Sequence, residues 1–288
     1  MPRKELRKAV QALADFIDYA VDAVTDAATQ TQVECSKTLA AMLLSLDTAS
    51  GRLVPDQDYG NRVLKLEKQL RQIAAKGMRE SIAAYMGSFT TIQDRNVALQ
   101  RTYGAIEVEA SKLLPARKFV LEQATNYLSE AGIARQFIQP AKYLLMQQVV
   151  TGASITEAQK MLERWAAGEL TDGKRTAGRP TPNLQRYATQ LARDTVYQYN
   201  GTIQDIIRKE YGLTHFIYAG GVVGDSRPLC RRLVGSDDSI AFADLPALLN
   251  AYPQGIIPGT TAQNFQVYRG GYNCQHICYP VKAPEVTK

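Results

Sequence analysis

The chain has 288 residues, of which 45% are hydrophobic and 22% are charged, and these values exclude wholesale disorder. Its four cysteines are too few, in a chain of this length, to form a disulfide framework. The formal net charge of +6 favours contact with polyanions but lies far below the charge density of a histone-like tail.

The hydrophobic segments of the chain are too short to span a membrane. The most apolar stretch, residues 39–46, is much shorter than the roughly 18 residues that a membrane-spanning helix needs, and it predicts a buried helix. The N-terminus, MPRKELRKAV, lacks the apolar segment and the small-residue cleavage site of a signal peptide. We therefore expect no membrane span and synthesis in the cytoplasm.

Residues 1–167 predict one helix after another. Apolar residues recur at three- and four-residue steps over 6–24 and again over 63–73, which gives each segment one apolar face. Ser154 and Glu157 have the spacing of a capping box and predict the start of another helix. Three further helices are predicted over residues 91–113, 116–131 and 136–150.

A basic, glycine- and proline-rich segment follows at residues 168–182, GELTDGKRTAGRPTP. This composition predicts a flexible linker between a helical domain, 1–167, and a C-terminal module, 183–288. The linker carries three candidate nucleic-acid contacts, Lys174, Arg175 and Arg179. A solvated linker without a ligand is the alternative interpretation of these charges.

The C-terminal module is predicted to begin with a long helix over 183–210, which Gly212 ends. A short strand rich in β-forming residues is predicted at 215–218, and short helices at 227–233 and 242–250. The predicted fold class is therefore mainly α, with an elongated N-terminal helical segment followed by a small α+β C-terminal module.

Most of the residues that could bind a metal lie in the last quarter of the chain: Cys230, Cys274, His276 and Cys278. Thiolate and imidazole groups are preferred zinc ligands, so zinc binding is the specific hypothesis. Cys274, His276 and Cys278 alternate and are predicted to share one face of the last strand. Residues four apart on a straight strand are about 13 Å apart at Cα, so one ion can reach Cys278 only if the chain bends.

Two alternatives to a metal site remain open at this point. A disulfide between Cys230 and Cys274 could form outside the reducing cytoplasm. Alternatively, the buried cysteines behave as small apolar residues and His276 satisfies a hydrogen bond in the core. In the metal hypothesis, the fourth position would fall to Cys278 on a kinked chain, to Asp225 or to water.

No catalytic residue is assigned from the sequence. Asp225 is predicted to cap the short helix that carries Cys230, and Arg227 to pair with a local carboxylate. Catalysis there would need a nucleophile, a base and an orienting partner, and the chain has only two histidines. The common sequence signatures of NTPases, hydrolases and dehydrogenases do not occur, so the chain is predicted not to be an enzyme.

Three segments of the C-terminal module share the order of a known family: LARDTVYQYNG at 191–201, GDSRPLC at 224–230 and YNCQHICYP at 272–280. Together they resemble the Mu F-like minor head, or head-morphogenesis, proteins of tailed phages, over about residues 180–282. Arg193, Asp225 and Arg227 stand at motif positions of that family. Where many relatives carry the first cysteine of a Cys-x-x-Cys pair, this chain has Arg227.

The resemblance implies a structural component of the virion, made in the host cytoplasm and located in the head interior or at the portal vertex. Its implied partners are the portal protein, the major capsid protein or both, with contact to packaged double-stranded DNA as a further expectation. Such a protein would aid head morphogenesis, DNA packaging or DNA ejection. The amphipathic helices would supply the docking faces.

Two other function classes remain open from the sequence. In the first, the C-terminal module is an enzyme or toxin-like effector domain, and Asp225, Arg227, Cys230 and His276 line a cleft. In the second, the chain is a DNA-binding internal virion protein that acts through the 168–182 linker, and its binding would weaken with salt.

Overall fold

The predicted fold class is confirmed: the computed structural model is mainly α-helical, with long N-terminal helices and a small sheet near the C-terminus. The structure describes residues 3–46, 48–54, 57–171, 174–175, 183–224, 226–236, 238–253, 256–271 and 274–284. Across these residues, no helix has both the length and the apolar character required to cross a membrane.

The helices, in chain order, are α1 (Arg3–Leu44), α2 (Tyr59–Leu99), α3 (Leu114–Leu128), α4 (Glu130–Ile133), α5 (Gln139–Val150), α6 (Ile155–Ala166), α7 (Asn183–Glu210), α8 (Pro228–Val234), α9 (Leu245–Ala251) and α10 (Phe265–Tyr268). The strands are β1 (Thr48–Ala49), β2 (Arg52–Leu53), β3 (Leu170–Thr171), β4 (Lys174–Arg175), β5 (His215–Ala219), β6 (Ile240–Ala241) and β7 (Ile277–Val281). The strands form two two-stranded hairpins, β1–β2 and β3–β4, and one three-stranded sheet.

The capping box predicted at Ser154 is confirmed. The backbone N–H of Glu157 donates to the Ser154 hydroxyl at 3.2 Å, and the backbone N–H of Ser154 donates to the Glu157 carboxylate at 2.9 Å. Two N–H groups that would otherwise lack a partner are therefore satisfied at the start of α6.

The single helix predicted over residues 91–113 is wrong. The α-helical part ends at Leu99, and a π-helical turn continues to Gly104. Ala105 then adopts a left-handed conformation, with φ of 48°, which ends the helical path. Apolar spacing did not reveal this break because the buried residue of the turn, Gln100, is polar.

The chain divides into two compact units, each of which joins segments that are distant in the sequence. The central unit consists of Asp22–Ala84 and Ala124–Leu191. The C-terminal unit consists of Met1–Val21, Tyr85–Gln123 and Ala192–Lys288. The division falls within α1, α2, α3 and α7, so each of these helices contributes residues to both units.

The sheet of the C-terminal unit has the order β6-β5-β7, and both neighbours run antiparallel to the central strand β5. The predicted strand at 215–218 is therefore confirmed as part of β5. In the register of the sheet, Tyr218 lies opposite Cys278 and Phe216 opposite Pro280. One face of β5 packs against α8 in an apolar cluster that includes Leu229 and Leu233.

Buried amide side chains connect α2, α7 and β7 within the C-terminal unit. Asn96 donates to the side-chain oxygen of Asn200 at 2.8 Å, and Gln204 donates to Asn96 at 3.1 Å. Gln100 donates to the carbonyl of Pro280 at 3.1 Å. Because a buried polar group without a partner is costly, these bonds favour one alignment of the helices and the strand.

Candidate metal centre

Three of the four predicted metal ligands meet in one buried cluster. The ligand atoms of Cys230, Cys274 and His276 all lie within 4.8 Å of one another. The exposed fractions of the three residues are 1%, 4% and 4%. Residues from distant parts of the sequence therefore form a group that could hold a metal ion.

Cys230 is positioned by the first turn of α8. Pro228 lies at the start of this helix, where its missing N–H costs nothing. The N-cap residue is Arg227, which makes no side-chain capping hydrogen bond. Asp225, which was predicted to cap this helix, lies outside the described residues.

The loop before α8 is held by an arginine that the sequence did not single out. The Arg231 guanidinium donates to the carbonyls of Val223 and Gly224, both at 2.8 Å, and to that of Ser226 at 2.9 Å. A planar guanidinium presents several N–H donors in a fixed geometry, so one side chain can organise three carbonyls. The path of the chain into α8, and hence the position of Cys230, follows from these bonds.

The expectation that Cys274, His276 and Cys278 all lie in the last strand is wrong. β7 begins at Ile277, so Cys274 and His276 occupy the irregular segment before it. Cys278 lies in β7 opposite Tyr218 and is not among the three residues whose ligand atoms are grouped. Because the preceding segment is not a straight strand, Cys274 and His276 can approach the same point without Cys278.

Tyr218 joins the cluster from the central strand β5. Its phenol oxygen lies 3.5 Å from the Sγ atoms of both Cys230 and Cys274. Its ring stacks on the imidazole of His276, with centroids 5.2 Å apart and an interplanar angle of 15°. Tyr218 therefore contacts all three candidate ligands, and the sequence analysis missed it because a tyrosine in a short strand is typical of an ordinary core.

The donor set of this cluster is compatible with a metal ion, and its ligand atoms lie within 4.8 Å of one another. Zinc binds sulfur at about 2.3 Å and nitrogen at about 2.0 Å, so its ligand atoms lie roughly 3.5 Å apart. The Nδ1 atom of His276 lies 3.5 Å from the Sγ of Cys274. The other ring nitrogen of His276 is buried and has no hydrogen-bond partner among the described residues. The donor set and the unsatisfied nitrogen both suit a metal.

Two glycines allow the close packing around this cluster. A Cβ atom on Gly270 would lie 2.4 Å from the Sγ of Cys230 and 3.2 Å from that of Cys274. A Cβ atom on Gly220 would lie 2.7 Å from the carbonyl oxygen of Gln275, and the φ of Gly220 is +144°. Larger residues at either position would displace the atoms of the cluster.

The two cysteines of the cluster differ in how readily they lose a proton. A hydrogen bond from the Cys230 thiol lowers the pKa of Cys274 well below its usual value, and a hydrogen bond from His276 acts in the same direction. The interaction with Cys274, followed by burial, raises the pKa of Cys230. Burial also raises the pKa of Tyr218. The pair therefore favours one thiolate, at Cys274, which is the ionised form that binds metals.

A buried arginine supplies positive charge beside this thiolate. The Arg269 side chain donates to the carbonyl of Tyr197 at 2.6 Å, and its charge further lowers the pKa of Cys274. Arg269 has a φ of 49°, which is uncommon for a residue other than glycine and costs on the order of 1 kcal/mol.

The remaining predicted site residues do not join the cluster. Arg193 lies on α7, and its Nε atom is buried without a hydrogen-bond partner among the described residues. The backbone of Lys174 and Arg175 forms β4, which pairs with β3 in a hairpin. Arg179 lies outside the described residues, so nucleic-acid contact by the 168–182 segment stays a prediction.

Comparison with known proteins gave no match. No protein-family model matches the chain, and no curated protein or solved structure is significantly similar to it.

Proposed function

We propose that this chain is a structural minor head protein of a tailed phage, associated with the portal protein, the major capsid protein or both. In that role it would aid head morphogenesis, DNA packaging or DNA ejection. The observation that supports the proposal is the meeting of Cys230 with Cys274 and His276, since these residues belong to the segments that resemble the Mu F-like family.

The burial of these groups favours a role in shape over a role in turnover. A catalytic thiol must be reached by its substrate, whereas Cys230 and Cys274 are almost fully covered by their neighbours. Tyr218 and Gly270 fill the space on two sides of the sulfur atoms. In this proposal the cluster stabilises the C-terminal module, and the module and the amphipathic helices bind neighbouring subunits of the particle.

Within this proposal, zinc is the metal of the cluster. Cys230, Cys274 and one ring nitrogen of His276 would hold it, and the Tyr218 phenol oxygen lies 3.5 Å from both sulfur atoms. A structural zinc ion adds folding free energy because the unfolded chain does not present its ligands together. Hydrogen bonds from Cys230 and His276 and the positive charge of Arg269 favour the thiolate form of Cys274, which would bind the ion.

The direct test is the protein content of purified particles. Particles of the phage that encodes the chain are purified on a density gradient, and mass spectrometry is expected to detect the chain at a low copy number per particle. Abundant host cytosolic proteins serve as the control for contamination and should be lost during purification. A chain that is lost with them would contradict the proposal.

The association with the portal is tested by binding. The purified full chain, carrying an affinity tag, is mixed with the portal protein and with the major capsid protein of the same phage. We expect retention of at least one of them at physiological ionic strength. Retention of neither protein, in a chain shown to be folded by circular dichroism, would overturn the partner assignment.

A further inference from the structure

A groove on the central unit lies between α1 and α2, far in sequence from the cysteine cluster. Its volume is about 670 Å³. The apolar residues that line it include Met42 on α1 and Leu66 and Ile73 on α2. These three side chains are buried or half-buried, so the groove has an apolar floor.

The residues that line the groove follow one stripe on each helix. On α1, Ala41 follows Lys37 by four residues and Ser45 comes directly after the helix, and on α2 Arg62 is followed by Leu66 four residues later. Residues at this spacing lie on the same side of a helix. Two helices that present such stripes to one groove form the seat into which a third helix packs. The stripe on α2 is roughly 16 Å long, which is about three helical turns.

The charged residues around the groove have one sign. Among the described residues that line it, three are cationic, Lys37, Arg62 and Lys65, and none carries a carboxylate. Lys37 pairs with Glu34 at 2.7 Å, but both side chains are more than half exposed. This ion pair is therefore weak, and Lys37 can also interact with a carboxylate of a partner. Arg62 donates to the carbonyl of Ser45 at 2.5 Å, which holds its guanidinium at the groove.

We propose that this groove binds an acidic amphipathic helix of a partner protein. The apolar face of that helix would cover the half-buried Met42 and Ile73, above the buried Leu66, and its carboxylates would lie beside Lys65 and Arg62. The apolar floor favours a helix over a nucleic-acid backbone, whose contacts are mainly polar. The inference rests on the proposed function only for the identity of the partner, which would then be a subunit of the particle.

The test uses the purified full chain and two synthetic peptides of about 14 residues. Both carry leucines at three- and four-residue steps; in one the flanking positions are glutamates, and in the other they are lysines. Fluorescence anisotropy is expected to show saturable binding of the glutamate peptide and at least about tenfold weaker binding of the lysine peptide.

Matched variants locate the binding site. Ala41 is exposed and lines the groove, so Ala41→Trp should fill the groove and weaken binding at least about tenfold. Ala84→Trp, at an exposed position of α2 outside the groove, should leave binding unchanged. Likewise Lys65→Glu should weaken binding about threefold or more, whereas Lys68→Glu, also exposed on α2, should have little effect. Circular dichroism checks that each variant is folded.

Four results would overturn the inference. They are no saturable binding of the glutamate peptide, equal losses in the groove variants and their controls, a concentration-dependent dimer that Ala41→Trp abolishes, and binding of duplex DNA that Lys65→Glu weakens and Lys68→Glu does not. The first two leave the groove without this ligand, and the last two assign it to a second copy or to nucleic acid. Peptide binding does not depend on particles, so its failure is distinguishable from absence of the chain from virions.

Discussion

The central unit and the C-terminal unit each bury cysteine, and they do so with opposite chemical results. Cys35 lies on α1 in the central unit, where burial raises the pKa of its thiol to about 12. Cys274 lies in the C-terminal unit, where the Cys230 thiol and His276 lower the pKa of its thiol despite burial. The comparison shows that burial alone makes a thiol inert, whereas hydrogen-bond donors beside it prepare a ligand.

The two units also differ in how their cores are built. In the central unit the core is largely apolar, and Phe137 stacks on Trp165 with ring centroids 5.0 Å apart. In the C-terminal unit, thiols, an imidazole and a buried guanidinium occupy the core beside Tyr218. The first kind of core tolerates volume-conserving changes, and the second depends on individual polar groups.

The largest expected effect comes from exchanging sulfur for oxygen in the two units. If the proposed zinc site is formed, Cys274→Ser should abolish zinc binding and lower the free energy of unfolding by more than about 3 kcal/mol, because one of its ligands is lost. Cys35→Ser should cost about 1–3 kcal/mol, since it places a hydroxyl in an apolar site, and should leave the zinc content unchanged. Elemental analysis and urea unfolding measure both. Equal zinc contents in the two variants would break the comparison.

A smaller effect is expected from glycines on the long helices. Gly201→Ala in α7 would place a Cβ atom 2.2 Å from the carbonyl oxygen of Gln266, so we expect a loss of about 1–3 kcal/mol. Gly87→Ala in α2 meets no atom within 4 Å and should stabilise the chain by about 0.5–1 kcal/mol. Thermal unfolding compares the two variants. A stabilised Gly201→Ala variant would show that the packing of α7 on residues 265–268 is loose.

The smallest expected effect concerns Glu67, a half-buried carboxylate in the central unit. Hydrogen bonds from Lys142, at 2.6 Å, and Arg71, at 2.9 Å, lower the pKa of Glu67 to about 2. A lowered carboxyl pKa stabilises the fold above the unfolded value near 4.5, and this contribution is lost as the pH falls towards 2. Glu67→Gln should therefore cost about 1 kcal/mol at pH 7 and almost nothing near pH 2.

Urea unfolding of Glu67→Gln at several pH values measures this contribution, with the exposed Glu80→Gln on the same helix as the matched control. We expect the control to have the same free energy of unfolding as the unsubstituted chain throughout. If the cost of Glu67→Gln does not change with pH, the hydrogen bonds to Lys142 and Arg71 do not favour the ionised carboxylate.

Much of the secondary structure could be predicted from the sequence because its signals are local. Apolar spacing identified the faces of α1 and α2, and the Ser154–Glu157 pair marked the start of α6. The break after Leu99 was missed because residues 100–104, QRTYG, contain no aliphatic residue whose spacing could have shown the change from α- to π-helical geometry.

Only some of the residues of the candidate site could be predicted from the sequence. Their types and their concentration near the C-terminus marked Cys230, Cys274 and His276 as candidate ligands. Only the tertiary structure brought Tyr218 and Arg269 to them and separated Cys278 from the cluster. The reason is that helix periodicity depends on neighbours a few residues apart in the sequence. The contact between α8 and the segment before β7 depends instead on how the sheet packs and on the space left at Gly270, which has no Cβ.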